Sequence, residues 1–428
     1  MSAQPISATV FAYQVGFGDC FLLRFSYASE PARHVLIDFG TTGLPEHVAN
    51  AHLLKVAEDI KAKCAGKLDA VVATHRHADH ISGFAISPSG GGPGAVIKSL
   101  KPTVVVQPWT EDLKLAVDAT GPAFARRGAK AAARSLVDMQ AVAAQIVKAV
   151  KTRERAFTKN VAGQLRFIGE DNLSNASAVK NLAAMGKRHV YAFHGGPSGL
   201  ESVLPGVKVH VLGPPTLKQS DSIRKQRSRH ETEYWHLQRK RLADGPGSIG
   251  QGTPMFPDHV AARGSKLPAW SRWLAYRVKL AQGEQLLQIV RTLDKQMNNT
   301  SLILLFETSG KKLLFPGDAQ IENWSFALSD PAIVNLLADV DLYKVGHHGS
   351  LNATPKSMWN AFKKKGSASA PDRMKSVLST LPDRHGHEHS NTEVPRRTLL
   401  AELDAKSELH STHTLGAGVL STTVELTL

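Results

Sequence analysis

The 428-residue chain reads as an α/β protein, because short apolar strands alternate with turns and helical stretches and several of those strands run straight into histidines or aspartates. Two basic, largely helical stretches interrupt this pattern rather than extend it. With 42% hydrophobic and 21% charged residues there is material for a large core, and disorder is not expected. The domain expectation is one domain over 1–428, with insertions at roughly 111–164 and 216–295.

The elements follow in order. Ala8 to Val15, Phe21 to Phe25 and His34 to Ile37 read as strands of a meander, separated by Gly16-Phe17-Gly18-Asp19 and a polar turn. Glu46 to Cys64 has helical spacing through Val48, Leu53, Val56 and Ile60. It leads into a buried strand, Leu68 to Ala73, and Thr103 to Val106 looks like another. The first basic stretch carries Leu136, Met139, Val142, Ile146 and Val150 on one helical face, ringed by lysine and arginine. Strands resume at Leu165 to Ile168 and Val207 to Leu212. From Arg224 to Lys279 the second basic stretch interleaves cations with Tyr234, Trp235, Trp270, Trp273 and Tyr276, which suits phosphates and exposed bases, or equally a solvated helical excursion packed by its tryptophans. Ser301 to Phe306, Lys312 to Phe315, the run from Asp341 and Ser376 to Ser379 complete the strands.

Composition excludes several classes. No run approaches the apolar length of a membrane span, and Met1-Ser2-Ala3-Gln4-Pro5 lacks a basic region followed by an apolar core, so a cytoplasmic protein is expected. Cys20 and Cys64 make neither a Cys-x-x-Cys pair nor a disulfide framework, and read as buried small residues. The net charge of +15 points to a polyanionic partner, DNA or RNA, reached through the basic stretches.

The chemistry lies in Thr74-His75-Arg76-His77-Ala78-Asp79-His80, directly after the Leu68 to Ala73 strand. If the strand delivers its end into a turn, His75 and His77 point to one side while Asp79 and His80 swing to the other, so that two adjacent cations can be held. A mononuclear site using some of these residues is the alternative. Imidazole nitrogen and carboxylate oxygen are the donors that zinc takes when positions must stay open for water, and manganese also fits. Asp318, at the end of a buried strand, is placed to bridge two ions, and one of His347 and His348 completes the second. His194 is a further candidate ligand, although it stands far upstream, while Asp38 and Asp19 read as carboxylates that orient ligands. The glycine-rich Ser89 to Gly94 and His194 to Pro197 runs lack the Lys-Ser/Thr of a phosphate-binding loop.

In the order Asp38, His75-x-His77-x-Asp79-His80, Gly317-Asp318, His347-His348 the chain resembles the metallo-β-lactamase superfamily over nearly its whole length. Val15-Gly16-Phe17-Gly18-Asp19, Leu36-Ile37-Asp38-Phe39-Gly40, Asn298-Asn299-Thr300-Ser301-Leu302, Leu314-Phe315-Pro316-Gly317-Asp318-Ala319 and His347-His348-Gly349-Ser350 are similar to the soluble hydrolase domain of ComEC-type competence proteins. That resemblance implies an αββα sandwich with the metal site at one edge between two sheets, and metal-dependent hydrolysis with phosphodiesters as a substrate class. It covers the hydrolase domain only, so a role in DNA uptake is not implied. Asn298-Asn299 stands where many members of the superfamily carry a third metal-ligating histidine. The first ion would then rest on His75, His77, Asp318 and water.

The expected mechanism uses a metal-activated water, whose pKa falls to about 7 on a bound divalent cation. Asp79 and Asp318 orient it, and His387 or His389 protonates the leaving alkoxide. Three functions compete: a phosphodiesterase or nuclease, a hydrolase of a small ester (lactone, thioester or cyclic nucleotide), and a nucleic-acid-binding protein with a structural metal. The third is disfavoured because a structural site is closed by four tight ligands.

Overall fold

The computed structural model describes residues 3–45, 48, 51–112, 121–122, 176–220, 298–350, 354–386, 388, 392–416 and 418–428. The chain divides into two compact units, one of Met1–Ser135, Ser174–Gln219 and Lys295–Leu428, the other of Leu136–Leu173 and Ser220–Asp294. The described residues belong to the first unit, apart from Ser220. The bulk of both basic stretches, the Leu165 to Ile168 run, His387 and His389 lie outside them.

The strands in chain order are β1 (Pro5–Tyr13), β2 (Cys20–Tyr27), β3 (Arg33–Phe39), β4 (Ala70–Val72), β5 (Val104–Pro108), β6 (Arg188–Ala192), β7 (Lys208–Gly213), β8 (Ile303–Thr308), β9 (Lys311–Phe315), β10 (Leu342–Lys344), β11 (Lys375–Leu378), β12 (Glu408–Ser411) and β13 (Ser421–Thr427). They form two mixed sheets, with helices between the strands, as the α/β reading expects. The first runs β13-β1-β2-β3-β4-β5-β6 and the second β12-β11-β10-β9-β8-β7. In the first, β13, β1, β2 and β3 pair antiparallel and β3 to β6 parallel. In the second, β7, β8 and β9 pair antiparallel and β9 to β12 parallel.

Strand alternation explains how the sheets are layered. Val10, Phe21, Phe25 and Ile37 of the first sheet share one apolar cluster with Leu304, Phe306, Leu313 and Phe315 of the second. Rings meet across the join, Phe21 on Phe315 at 5.9 Å and Phe25 on Phe306 at 6.1 Å between centroids. The alternate residues Leu22, Leu36, Val71 and Val105 face Val56 and Ile60 of the helix His52–Lys63 and Leu182 of the helix Ala176–Ala184. Ile303, Leu305, Leu314 and Tyr343 face Trp324, Leu337, Trp359 and Leu403, each on its own helix. Each fully buried Phe contributes about 1.5–3 kcal/mol by transfer from water, so Phe21→Ala, which also leaves a cavity, costs about 3–5 kcal/mol.

The first helix lies within the stretch that its apolar spacing marked. Among the described residues it runs His52–Lys63, and Glu46, His47, Ala49 and Asn50 of the expected stretch lie outside them. Its last turn carries Lys61 and Lys63, which suits the negative end of the helix dipole. Cys20 and Cys64 are buried free thiols. Among the described residues no helix is long and apolar enough to cross a membrane.

Candidate metal centre

The C-terminal ends of parallel strands gather the polar residues, as open α/β sheets generally do. Asp38 stands near the end of β3, and the His75 to His80 loop follows β4. Gly317-Asp318 follows β9, His347-His348 follows β10 and Ser379 follows β11. Two glycines make the convergence possible. A Cβ on Gly40 would lie 2.5 Å from the Ala78 carbonyl oxygen and 2.5 Å from the His80 nitrogen, and Gly317 holds φ +54 with Thr74 against it. Asp38 (φ 55), His347 (φ 41) and His348 (φ 53) adopt left-handed backbone that side chains seldom take, at about 1–3 kcal/mol each.

Asp79, His80, Asp318 and His348 form one buried group whose ligand atoms all lie within 4.8 Å of one another. His75, His77 and Asp79 form a second, and Asp19, Asp38 and His80 a third. In the first group His348 Nε2 lies 2.9 Å from Asp79 Oδ2, and His80 Nε2 lies 3.0 Å from Asp318 Oδ2. His75 Nε2 and His77 Nδ1 are 3.0 Å apart in the second. Each imidazole of the first group is turned by a partner at its other nitrogen. Asp38 Oδ2 holds His80 Nδ1 at 2.8 Å, and the Ser379 carbonyl holds His348 Nδ1 at 3.1 Å. Asp38 is itself fixed by Thr74, whose N–H and hydroxyl both donate to it at 2.7 Å.

Electrostatics favour positive charge between these carboxylates. Burial alone would push Asp79 and Asp318 up, but His80 above all, with His348 in both cases and His347 beside Asp318, holds both below the ordinary carboxylate range. Burial opposes charge on His80 and His348, yet Asp318 first, then Asp79 and Asp38 for His80 and Asp19 for His348, lifts both. His75 is pushed well below its usual value by burial, then by His80 and His77, which leaves it a neutral donor. Asp79 Oδ1 is buried without a hydrogen-bond partner, and the buried His80 Nε2 and Asp318 Oδ2 face only each other and the rest of the group. A set of nitrogen and oxygen donors with orphaned buried atoms aimed at one another fits a divalent cation.

The remaining sequence candidates separate clearly. Asp79 is common to the first and second groups, while Asp318 belongs to the first and lies 3.8 Å from both His347 Nε2 and His348 Nε2. Of the histidine pair, His348 is fully buried within the group, whereas His347 is partly exposed, with its Nδ1 2.8 Å from the Ser350 hydroxyl. His194 enters none of the ligand groups found among the described residues; its Nδ1 lies 2.9 Å from the Leu212 carbonyl. The Asn299 side chain donates to Glu322 at 3.0 Å. From the loop after β11, His385 packs edge-on to Phe17 at 4.1 Å, and Phe17 lies 4.4 Å from His348.

Two features escaped the sequence reading. Arg76, between the two histidines, is buried in an ion pair with Glu111 and so anchors the loop from behind. Lys344, the last residue of β10, is buried against Asp19, 3.2 Å from the Gly317 carbonyl and 3.6 Å from Asp318 Oδ1. Burial opposes its charge, but Asp19 and then Asp318 raise its pKa above the usual lysine value. The available signal was a lysine inside an apolar strand that ends in histidines. Comparison with known proteins finds no family model that matches the chain and no curated relative.

Proposed function

We propose that the protein is a metal-dependent hydrolase of the metallo-β-lactamase superfamily, similar to the hydrolase domain of ComEC-type proteins, and that it cleaves phosphodiesters, nucleic acid above all. The observation that carries this reading is the convergence of Asp79, His80, Asp318 and His348, joined through Asp79 to His75 and His77. The layering of helices, sheet, sheet and helices supports the αββα sandwich. Zinc suits the donors, with two ions in adjoining sites and manganese as the alternative.

When bound, the ions would supply Lewis acidity and a water activated at neutral pH. Asp38 and the Ser379 carbonyl hold His80 and His348 in the orientation that ligation needs. Asp79 and Asp318 keep negative charge in a buried site, and the Arg76–Glu111 pair fixes the loop that carries His75 and His77. His387 or His389, which follow β11 in the sequence and lie outside the described residues, would protonate the leaving oxygen.

The charge distribution supports a polyanionic substrate. Residues 113–175 and 221–297 hold 25 of the 52 lysines and arginines but only 12 of the 37 acidic residues, which leaves the rest of the chain near neutrality. The test is hydrolysis of bis(p-nitrophenyl) phosphate and of single- and double-stranded DNA by zinc- or manganese-loaded protein across a salt series. Metal-dependent cleavage of both, with DNA binding that weakens steeply in salt, is expected, and neutralising Arg272 and Arg277 should weaken DNA binding. Metal-loaded protein silent on every phosphodiester would overturn the substrate class and favour a small carbonyl ester.

A further inference from the structure

The third ligand group, Asp19 with Asp38 and His80, raises the question of what balances its charge. Asp19 is fully buried behind the ligand histidines, its Oδ2 3.7 Å from His80 Nδ1 and its Oδ1 3.5 Å from His348 Nδ1. The ammonium of Lys344 pairs with Asp19 and lies 3.6 Å from Asp318 Oδ1. The two oxygens of Asp318 are thereby divided. Oδ1 faces Lys344 and accepts from the His347 backbone N–H at 3.1 Å, while Oδ2 faces His80 and His348.

The other sheet supplies an internal control. Lys344 ends β10 three residues before His347, and Val72 ends β4 three residues before His75. Val72 is 0% exposed and Lys344 2% exposed. The strand position is thus filled by an apolar side chain in one sheet, so a lysine there answers to the centre rather than to the strand.

We propose that Lys344 is a third, built-in cation of the metal centre, which neutralises Asp19 and holds Asp318 so that only Oδ2 is offered to a divalent ion. The proposal rests on the metal-centre reading. It implies that the centre keeps part of its positive charge permanently and that the Asp19 end is closed to an exchangeable ion. Removing the ammonium transfers its work to the exchangeable ions.

The test is a thermal double-mutant cycle on full-length protein, with wild type, K344M, D19N and D19N/K344M, each metal-free and with added zinc. K344M should lower the metal-free midpoint by about 10 °C, because it takes the ammonium from two buried carboxylates and leaves them only the neighbouring histidines. D19N/K344M should recover at least half of that loss, and zinc should raise the midpoint of K344M further than that of wild type. An additive cycle, or a zinc shift in K344M no larger than in wild type, overturns the proposal. If K344M does not accumulate folded, the double variant decides: folded, zinc-responsive protein supports the proposal and failure to fold overturns it. A wild type indifferent to both zinc and manganese would instead sink the metal-centre reading on which the proposal rests.

Discussion

In each sheet an antiparallel run joins a parallel set at a strand, β3 or β9, whose C-terminal end carries an aspartate, and the next strand, β4 or β10, leads into histidines. The two ends do different work. In the first sheet Asp38 is occupied by Thr74 and His80, and the ligand candidates come from the loop after β4. In the second, Asp318 turns Oδ2 toward His80 and His348 and joins the ligand group, His348 following the next strand. A carboxylate at one strand end is a brace or a ligand according to whether the neighbouring loop saturates its oxygens. Thr74 does so for Asp38, and Gly346, at the corresponding place before His347, has no side chain with which to do it.

The comparison breaks most directly on those two carboxylates. Asp38→Asn should weaken zinc binding about 10- to 100-fold, the usual cost of losing a group that orients a ligand, and Asp318→Asn should lose more. Competition with a chromophoric chelator reads both, and equal losses would erase the distinction. Next in size is the anchor of the first-sheet loop. Glu111→Gln leaves Arg76 buried without its charge partner and should destabilise the fold by about 3–5 kcal/mol in urea melts. A loss below about 1 kcal/mol would put the pair on the level of a surface bridge.

A smaller effect separates His385 from the histidines of the candidate ligand groups. Burial first, then His348 and Arg384, pushes its pKa down to about 3. Between pH about 6.5 and 4 the unfolded chain therefore binds a proton there that the folded chain does not, and stability falls as pH falls. For metal-free protein the slope is at most about 1.4 kcal/mol per pH unit, and His385→Asn should flatten that limb. Melts at pH 4, 5, 6 and 7 compare the two; parallel curves would show that His385 has no part in it.

Legibility in the sequence followed burial. β1, β2, β3, β5, β8 and β9 were readable because apolar runs or alternation mark them, and β4 because an apolar run precedes the histidines. β6, β12 and β13 were not, since Arg188–Ala192 is half-exposed, Glu408–Ser411 is short and polar, and Ser421–Thr427 is a threonine-rich edge strand. The dense His75 to His80 spacing announced ligands without tertiary information. The choice between His347 and His348 needed the fold, because it is packing that buries His348 against the Ser379 carbonyl and leaves His347 partly exposed beside Ser350. Lys344 and the Arg76–Glu111 pair were hidden because their partners lie far away in sequence.

The central claim is that Asp79, His80, Asp318 and His348, with His75 and His77, hold metal, Asp79 being common to the first and second groups. Elemental analysis of zinc-saturated, gel-filtered wild type and Asp79→Ala tests it most directly. The account predicts about two equivalents of zinc per wild-type chain and little retained by Asp79→Ala. Wild type that retains no zinc, or an Asp79→Ala variant that retains as much as wild type, would contradict it.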